Sequence, residues 1–136
     1  MTKQKIFITL LDKIQSRGLL TVFIKDLFDY EELNDYNYIY RLTKDTDSVI
    51  MDIYDNISAN RFNRYIFSFE EGDYDIKTME DKNVFVTKIH VLNVTKPDTK
   101  LLKLVYMLNL DNAEMVKYAD SFLDKEIVKI LSEIIK

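Results

Sequence analysis

The sequence predicts an α+β protein. It expects a single domain over residues 1–136, with an antiparallel sheet of three to five strands at about 48–94, two N-terminal helices and two or three C-terminal ones. Three observations carry this expectation. Asn83–Val94, NVFVTKIHVLNV, is rich in β-branched residues, has no internal glycine or proline, and stops just before Pro97, which cannot continue a ladder. It reads as the central strand. On either side of the middle third, apolar residues recur at spacings of three and four, the period of a helix with one buried face. The chain has only 2 glycines and 1 proline, too few turn formers for an all-β protein, so reversals are expected at Asn and Asp.

The elements follow in order. Residues 3–16 form an amphipathic helix with Ile6, Leu10 and Ile14 in a stripe, Thr2 as N-cap and Gly18 as the stop. Residues 21–32 form a second helix through Phe23, Ile24, Leu27 and Phe28, with Thr21 able to cap. Asp29, Glu31 and Glu32 oppose the macrodipole and argue for an end near Phe28. Residues 35–44, DYNYIYRLTK, satisfy both periods: Tyr36, Ile39, Tyr40 and Thr43 share a helical face, and Tyr36, Tyr38, Tyr40 and Leu42 share a strand face.

Residues 48–55 read as a strand with Val49, Met51 and Ile53 inward and Asp52 outward. A polar connection over 56–63 leads to a return strand at 64–70. Glu71-Gly72-Asp73 marks a turn. Tyr74–Met79 forms a short edge strand guarded by Lys77. On the strand at 83–94, Phe85, Ile89 and Val91 share one face and Lys88 and His90 the other. Three helical segments follow, capped by Asp98, by Asp111 or Asn112, and by Asp124; the middle one carries the apolar residues Met115, Val116, Ala119 and Phe122. The expected core comprises Leu10, Ile14, Phe23, Leu27, Met51, Ile53, Phe67, Ile89, Val91, Leu104, Leu108, Leu131 and Ile134.

Composition bounds the function. The chain has no cysteine, which removes disulfides and thiolate metal sites and points to a reducing, cytoplasmic setting. No apolar run approaches the roughly 20 residues of a membrane span, and the first residues lack the pattern of a signal peptide. Richness in Ile, Lys, Asn, Asp and Tyr is the mark of an AT-rich coding sequence, as in phage, viral, plasmid or low-GC bacterial genes. The formal charge is −4 and is unevenly spread. Glu70, Glu71, Asp73, Asp75, Glu80 and Asp81 against Lys77 leave −5 in one short stretch, and Lys82, Lys88, Lys96, Lys100 and Lys103 against Asp98 leave +4 in the next. An acidic chain is a poor non-specific binder of nucleic acid, because counterion release needs clustered cations.

No catalytic constellation stands out. Asp52 with Asp75-Ile76-Lys77 has the residue types of a magnesium-dependent nuclease, one carboxylate on one strand and an acidic-x-Lys on its neighbour. In a chain that is 31% charged, such a set also arises as ordinary solvated surface. His90 is the single histidine and lies beside Lys88, which suits a surface position better than a general base. No zinc set, calcium loop or glycine-rich phosphate loop is present, and no cofactor is expected.

Two functions remain. The first is a small non-enzymatic protein acting through protein–protein contact, an inhibitor, immunity or regulatory factor. Its acidic hairpin, Glu70, Glu71, Asp73, Tyr74 and Asp75, would meet a partner with a basic surface, and the tyrosines at 30, 36, 38 and 40 supply further interface-type side chains. The second rests on element order. Residues 18–44, GLLTVFIKDLFDYEELNDYNYIYRLTK, resemble winged helix-turn-helix domains, with YIYRLTK in the place of a recognition helix. That resemblance implies DNA binding through Arg41, Lys44, Arg61 and Arg64 and dimerisation through the C-terminal helices. Whether residues 36–44 are helical separates the two.

Overall fold

The computed structural model describes residues 2–28, 38–44, 48–55, 61–69, 77–81, 84–91 and 99–135. Among them are five helices and five strands, so the protein is α+β. They fall into two compact units: the two chain ends, 1–31 and 94–136, make a helical unit, and the middle, 32–93, makes a sheet unit.

In the helical unit, α1 (Lys3–Ser16) begins at Thr2, whose hydroxyl accepts from the Lys5 amide at 3.2 Å. Ile6, Phe7, Leu10, Leu11 and Ile14 are buried along one stripe. The helix closes in a Schellman turn: Gly18 N–H donates to the Gln15 carbonyl at 3.1 Å and Leu19 N–H to the Ile14 carbonyl at 2.9 Å. Gly18 makes this possible with φ of 73°, a region that costs any residue with a Cβ. α2 (Leu20–Phe28) follows at once; it starts a residue early, so Thr21 lies inside the first turn instead of capping it, and Asp29, Glu31 and Glu32 lie outside the described residues.

α3 (Lys100–Leu108) is capped by Thr99, not Asp98: the Thr99 hydroxyl accepts from Leu102 N–H at 3.2 Å. Asp111 caps α4 (Asn112–Asp120) through the Glu114 amide at 2.9 Å. Asp124 accepts from the Glu126 amide at 2.9 Å at the start of α5 (Lys125–Ile135). The helices touch in a closed circuit, α1 on α2, α2 on α3, α3 on α4, α4 on α5 and α5 on α1. Phe7, Leu10, Ile14, Phe23, Ile24, Leu104, Leu108, Met115, Ile127, Ile130 and Leu131 fill it, each fully buried. Ile134, expected in the core, is half-buried, as are Val116 and Phe122; Leu123 is buried instead. Two polar ties close the circuit. Arg17 pairs with Glu133 at 3.1 Å, and Lys3 Nζ donates to the Leu110 carbonyl at the α3–α4 corner.

The sheet has five strands in the order β1-β2-β3-β5-β4: β1 (Tyr38–Lys44), β2 (Ser48–Asp55), β3 (Arg61–Ser68), β4 (Lys77–Asp81) and β5 (Val84–His90). It starts at residue 38, earlier than expected, and the return strand already includes 61–63. The antiparallel expectation holds for three of the pairings, while β3 and β5 run parallel, so the sheet is mixed. The chain leaves β3, lays down β4 at the far edge, and returns as β5 into the gap. β5 is thus interior, but β3 holds the centre. β4 is the expected edge strand with Lys77 on it; the turn at 71–73 lies outside the described residues.

β1 settles the ambiguity for 38–44, which pair one for one with β2 from Tyr38↔Asp55 to Lys44↔Val49; residues 35–37 lie outside the described residues. Side-chain alternation sorts the sheet into two faces. Val49, Met51, Ile53, Tyr65, Phe67, Ile89 and Val91 lie on one, all buried. The other mixes half-buried Ser48, Ile50, Arg64, Ile66 and Lys88 with buried Asp52, Ser68 and Val86, is the less buried of the two, and carries the candidate site.

Candidate functional site

The even-numbered residues of β2 and β3 form the open face. Register sets Ile50 opposite Ile66, Asp52 opposite Arg64 and Ser48 opposite Ser68, then continues to Val86, Lys88 and His90 on β5. Arg64 grips Asp52 with both arms of its guanidinium: Nε donates to Oδ1 at 2.6 Å and Nη2 to Oδ2 at 3.0 Å. The arginine side chain retains 32% of its exposure and the aspartate only 2%. Asp52 does point away from the main core, as expected, but it is buried beneath its partner. This bidentate, charge-assisted pair pins the β2–β3 register, because a shift by one residue would send the two to opposite faces. Beside it, Ile50 and Ile66 are half-buried, as is Lys88.

The nuclease set is not assembled as the sequence suggested. β3 and β5 stand between β2 and β4, so Asp52 and Lys77 are not on neighbouring strands but three strand spacings apart, about 14 Å. Both Asp52 oxygens are engaged by Arg64, and Asp75 lies outside the described residues. Among the described residues, no group of three or more His, Cys, Asp or Glu side chains is placed to hold a metal ion. His90 ends β5 opposite Ser68, on the Lys88 face as expected.

The DNA-reading set is also separated. The recognition helix is not formed, since residues 38–44 are strand β1. On a helix, Arg41 and Lys44 would be neighbours at i, i+3; on a strand, that odd spacing puts them on opposite faces. Arg41 sits in the row of Asp52 and Arg64, whereas Lys44 sits in the row of Val49 and Phe67. The register shift between Ile53 and Tyr54 falls between Asn63 and Arg61, so alternation does not carry through to Arg61. Arg64, assigned to phosphate from sequence, is held by Asp52.

The acidic partner-binding set, Glu70, Glu71, Asp73, Tyr74 and Asp75, lies outside the described residues. Its anchors do not: Ser68 pairs with His90 and Lys77 with Lys88, so the segment starts and finishes at one end of the sheet, on either side of β5. Sequence reasoning missed Ile50 and Ile66 as a half-buried pair beside Asp52 and Arg64. The available signal was the hairpin itself, because once Asp52 is set opposite Arg64, Ile50 must face Ile66 on the same side.

No helix among the described residues is long and apolar enough to cross a membrane. No family model, curated protein or solved structure matches this chain.

Proposed function

We propose that the protein is a small non-enzymatic binding protein that acts through protein–protein contact. The observation that carries this reading is the open sheet face. Two half-buried isoleucines stand side by side next to a carboxylate and a guanidinium that already neutralise each other. An apolar centre whose charges are satisfied before a partner arrives suits a contact surface, because docking then strands no unpaired charge. The proposed partner has a basic surface, met by Glu70, Glu71, Asp73 and Asp75.

The test places a photo-crosslinking side chain at Ile66 and, as a control, at exposed Gln15 on α1. A discrete adduct from position 66, absent at position 15 and lost on Ile50→Lys, is the expected result. No adduct at position 66, or a metal-stimulated hydrolytic activity that disappears with Asp52→Asn, would overturn the reading.

A further inference from the structure

The helical unit carries a second surface of a different kind. Tyr106 on α3 and Tyr118 on α4 meet edge to face, with ring centroids 5.1 Å apart, and Phe122, just past the α4 C-cap, lies 5.5 Å from Tyr118. All three rings are half-buried, although the core beneath them is complete: Met115 and Ala119 are fully buried. Burial raises the Tyr118 hydroxyl above its ordinary range, with Tyr106 adding to the shift, so the phenol stays neutral.

The ladder has an acidic border. Asp111, Glu114 and Tyr118 follow at spacings of three and four, which puts them in one stripe along α4. Between residues 111 and 126 there are five carboxylates, all exposed, against Lys117 and Lys125, while α3 contributes Lys100 and Lys103. Lys117 reaches Glu114 only at 3.9 Å, with both side chains more than half exposed, a pair worth little in water. Ring faces and carboxylates side by side share one complement, because the negative face of an aromatic ring and a carboxylate both attract a cation.

We propose that this α3–α4 surface docks a cationic protein segment, with an arginine or lysine side chain laid on the Tyr118–Phe122 rings and paired with Glu114. The inference rests on the reading that the chain works by binding proteins, but it uses a surface of the other unit and is tested separately. The probe is a synthetic peptide alternating arginine and alanine. The control peptide has glutamine in place of arginine. Amide spectra of the full chain are followed during titration with each.

Shifts clustered on 102–126 with the arginine peptide and none with the control are expected. Tyr118→Ala should weaken binding about two- to five-fold, the value of one exposed cation–π contact. Tyr118→Phe should restore it, and Glu114→Gln should weaken it more at low salt than at high. Thermal melts of each variant confirm folding, and Glu114→Gln, at an exposed site, provides a test even if Tyr118→Ala does not fold. Shifts spread over other elements, equal binding of the control peptide, or concentration-dependent dimerisation that buries the ladder would overturn the proposal. Peptide failure with the Ile66 adduct intact would sink this surface alone; loss of the adduct with peptide binding intact would sink only the sheet-face reading.

Discussion

Truncating Arg64 to alanine removes a bidentate guanidinium from a carboxylate that is 2% exposed. Leaving a buried charge without its partner costs more than the intact pair contributes, so Arg64→Ala should lower stability by about 3 kcal/mol, read as a shift in denaturant midpoint. Asp52→Leu added to Arg64→Met should recover much of that loss, because it buries no charge. A second residue-scale outcome concerns acid. The hydrogen bond from Arg17 holds the Glu133 carboxyl below the usual glutamate range, opposed by desolvation and assisted by Coulomb attraction from Arg17, Lys13 and Lys129. A depressed carboxylate adds stability that is complete above its unfolded value and is lost as pH falls through its folded one. An NMR titration of the Glu133 carboxyl should therefore move back to the ordinary glutamate midpoint in Arg17→Gln.

At the scale of the element, Gly18→Ala tests the α1 stop. The added methyl meets open space, but φ of 73° disfavours any residue with a Cβ, so a loss of about 1 kcal/mol is expected in thermal melts, without rearrangement. Elements with strong local signals were legible in the sequence. Thr2 and Gly18 bracket α1, and Asp111 and Asp124 open α4 and α5, because caps are read from neighbouring residues. Residues 38–44 were not decidable locally: Tyr and Ile fit either period there, and the outcome depends on seven pairings with β2. The parallel β3–β5 pair was equally hidden, since alternation places a side chain on a face but does not say which strand lies alongside. The candidate site suffered from the same limit. Asp52 and Arg64 were each noticed and given separate roles, and only their cross-strand register makes them one feature. Phe122 fitted the apolar helical pattern of Met115 and Ala119, yet it lies past the α4 C-cap and is half-buried.

For the whole molecule, charge placement argues about encounter more than about lifetime. If Glu70, Glu71, Asp73 and Asp75 steer a basic partner, reversing them to lysine should slow association several-fold and leave dissociation almost unchanged. Added salt should mimic the slowing, with screening over about 10 Å at 0.1 M. Stopped-flow rates for a recovered partner check both, and rates indifferent to salt and to the reversals would rule the segment out. The sheet-face residues should behave in the opposite sense, because Ile66→Lys removes contact area that forms only in the docked state.

The helical unit is built from both ends of the chain, and this sets an order in time. On a ribosome, α1 and α2 emerge first with their apolar stripes uncovered. The sheet segment follows and can pair on itself, while α5, which packs against α1, emerges last. At about 5–20 residues per second, the first helix waits several seconds for its neighbour. During that interval Phe7, Leu10 and Leu11 are open to any passing apolar surface. A nascent chain halted before α3 would therefore present a finished sheet and two unsatisfied helices, the form in which this protein is most exposed to chaperones, proteases and aggregation.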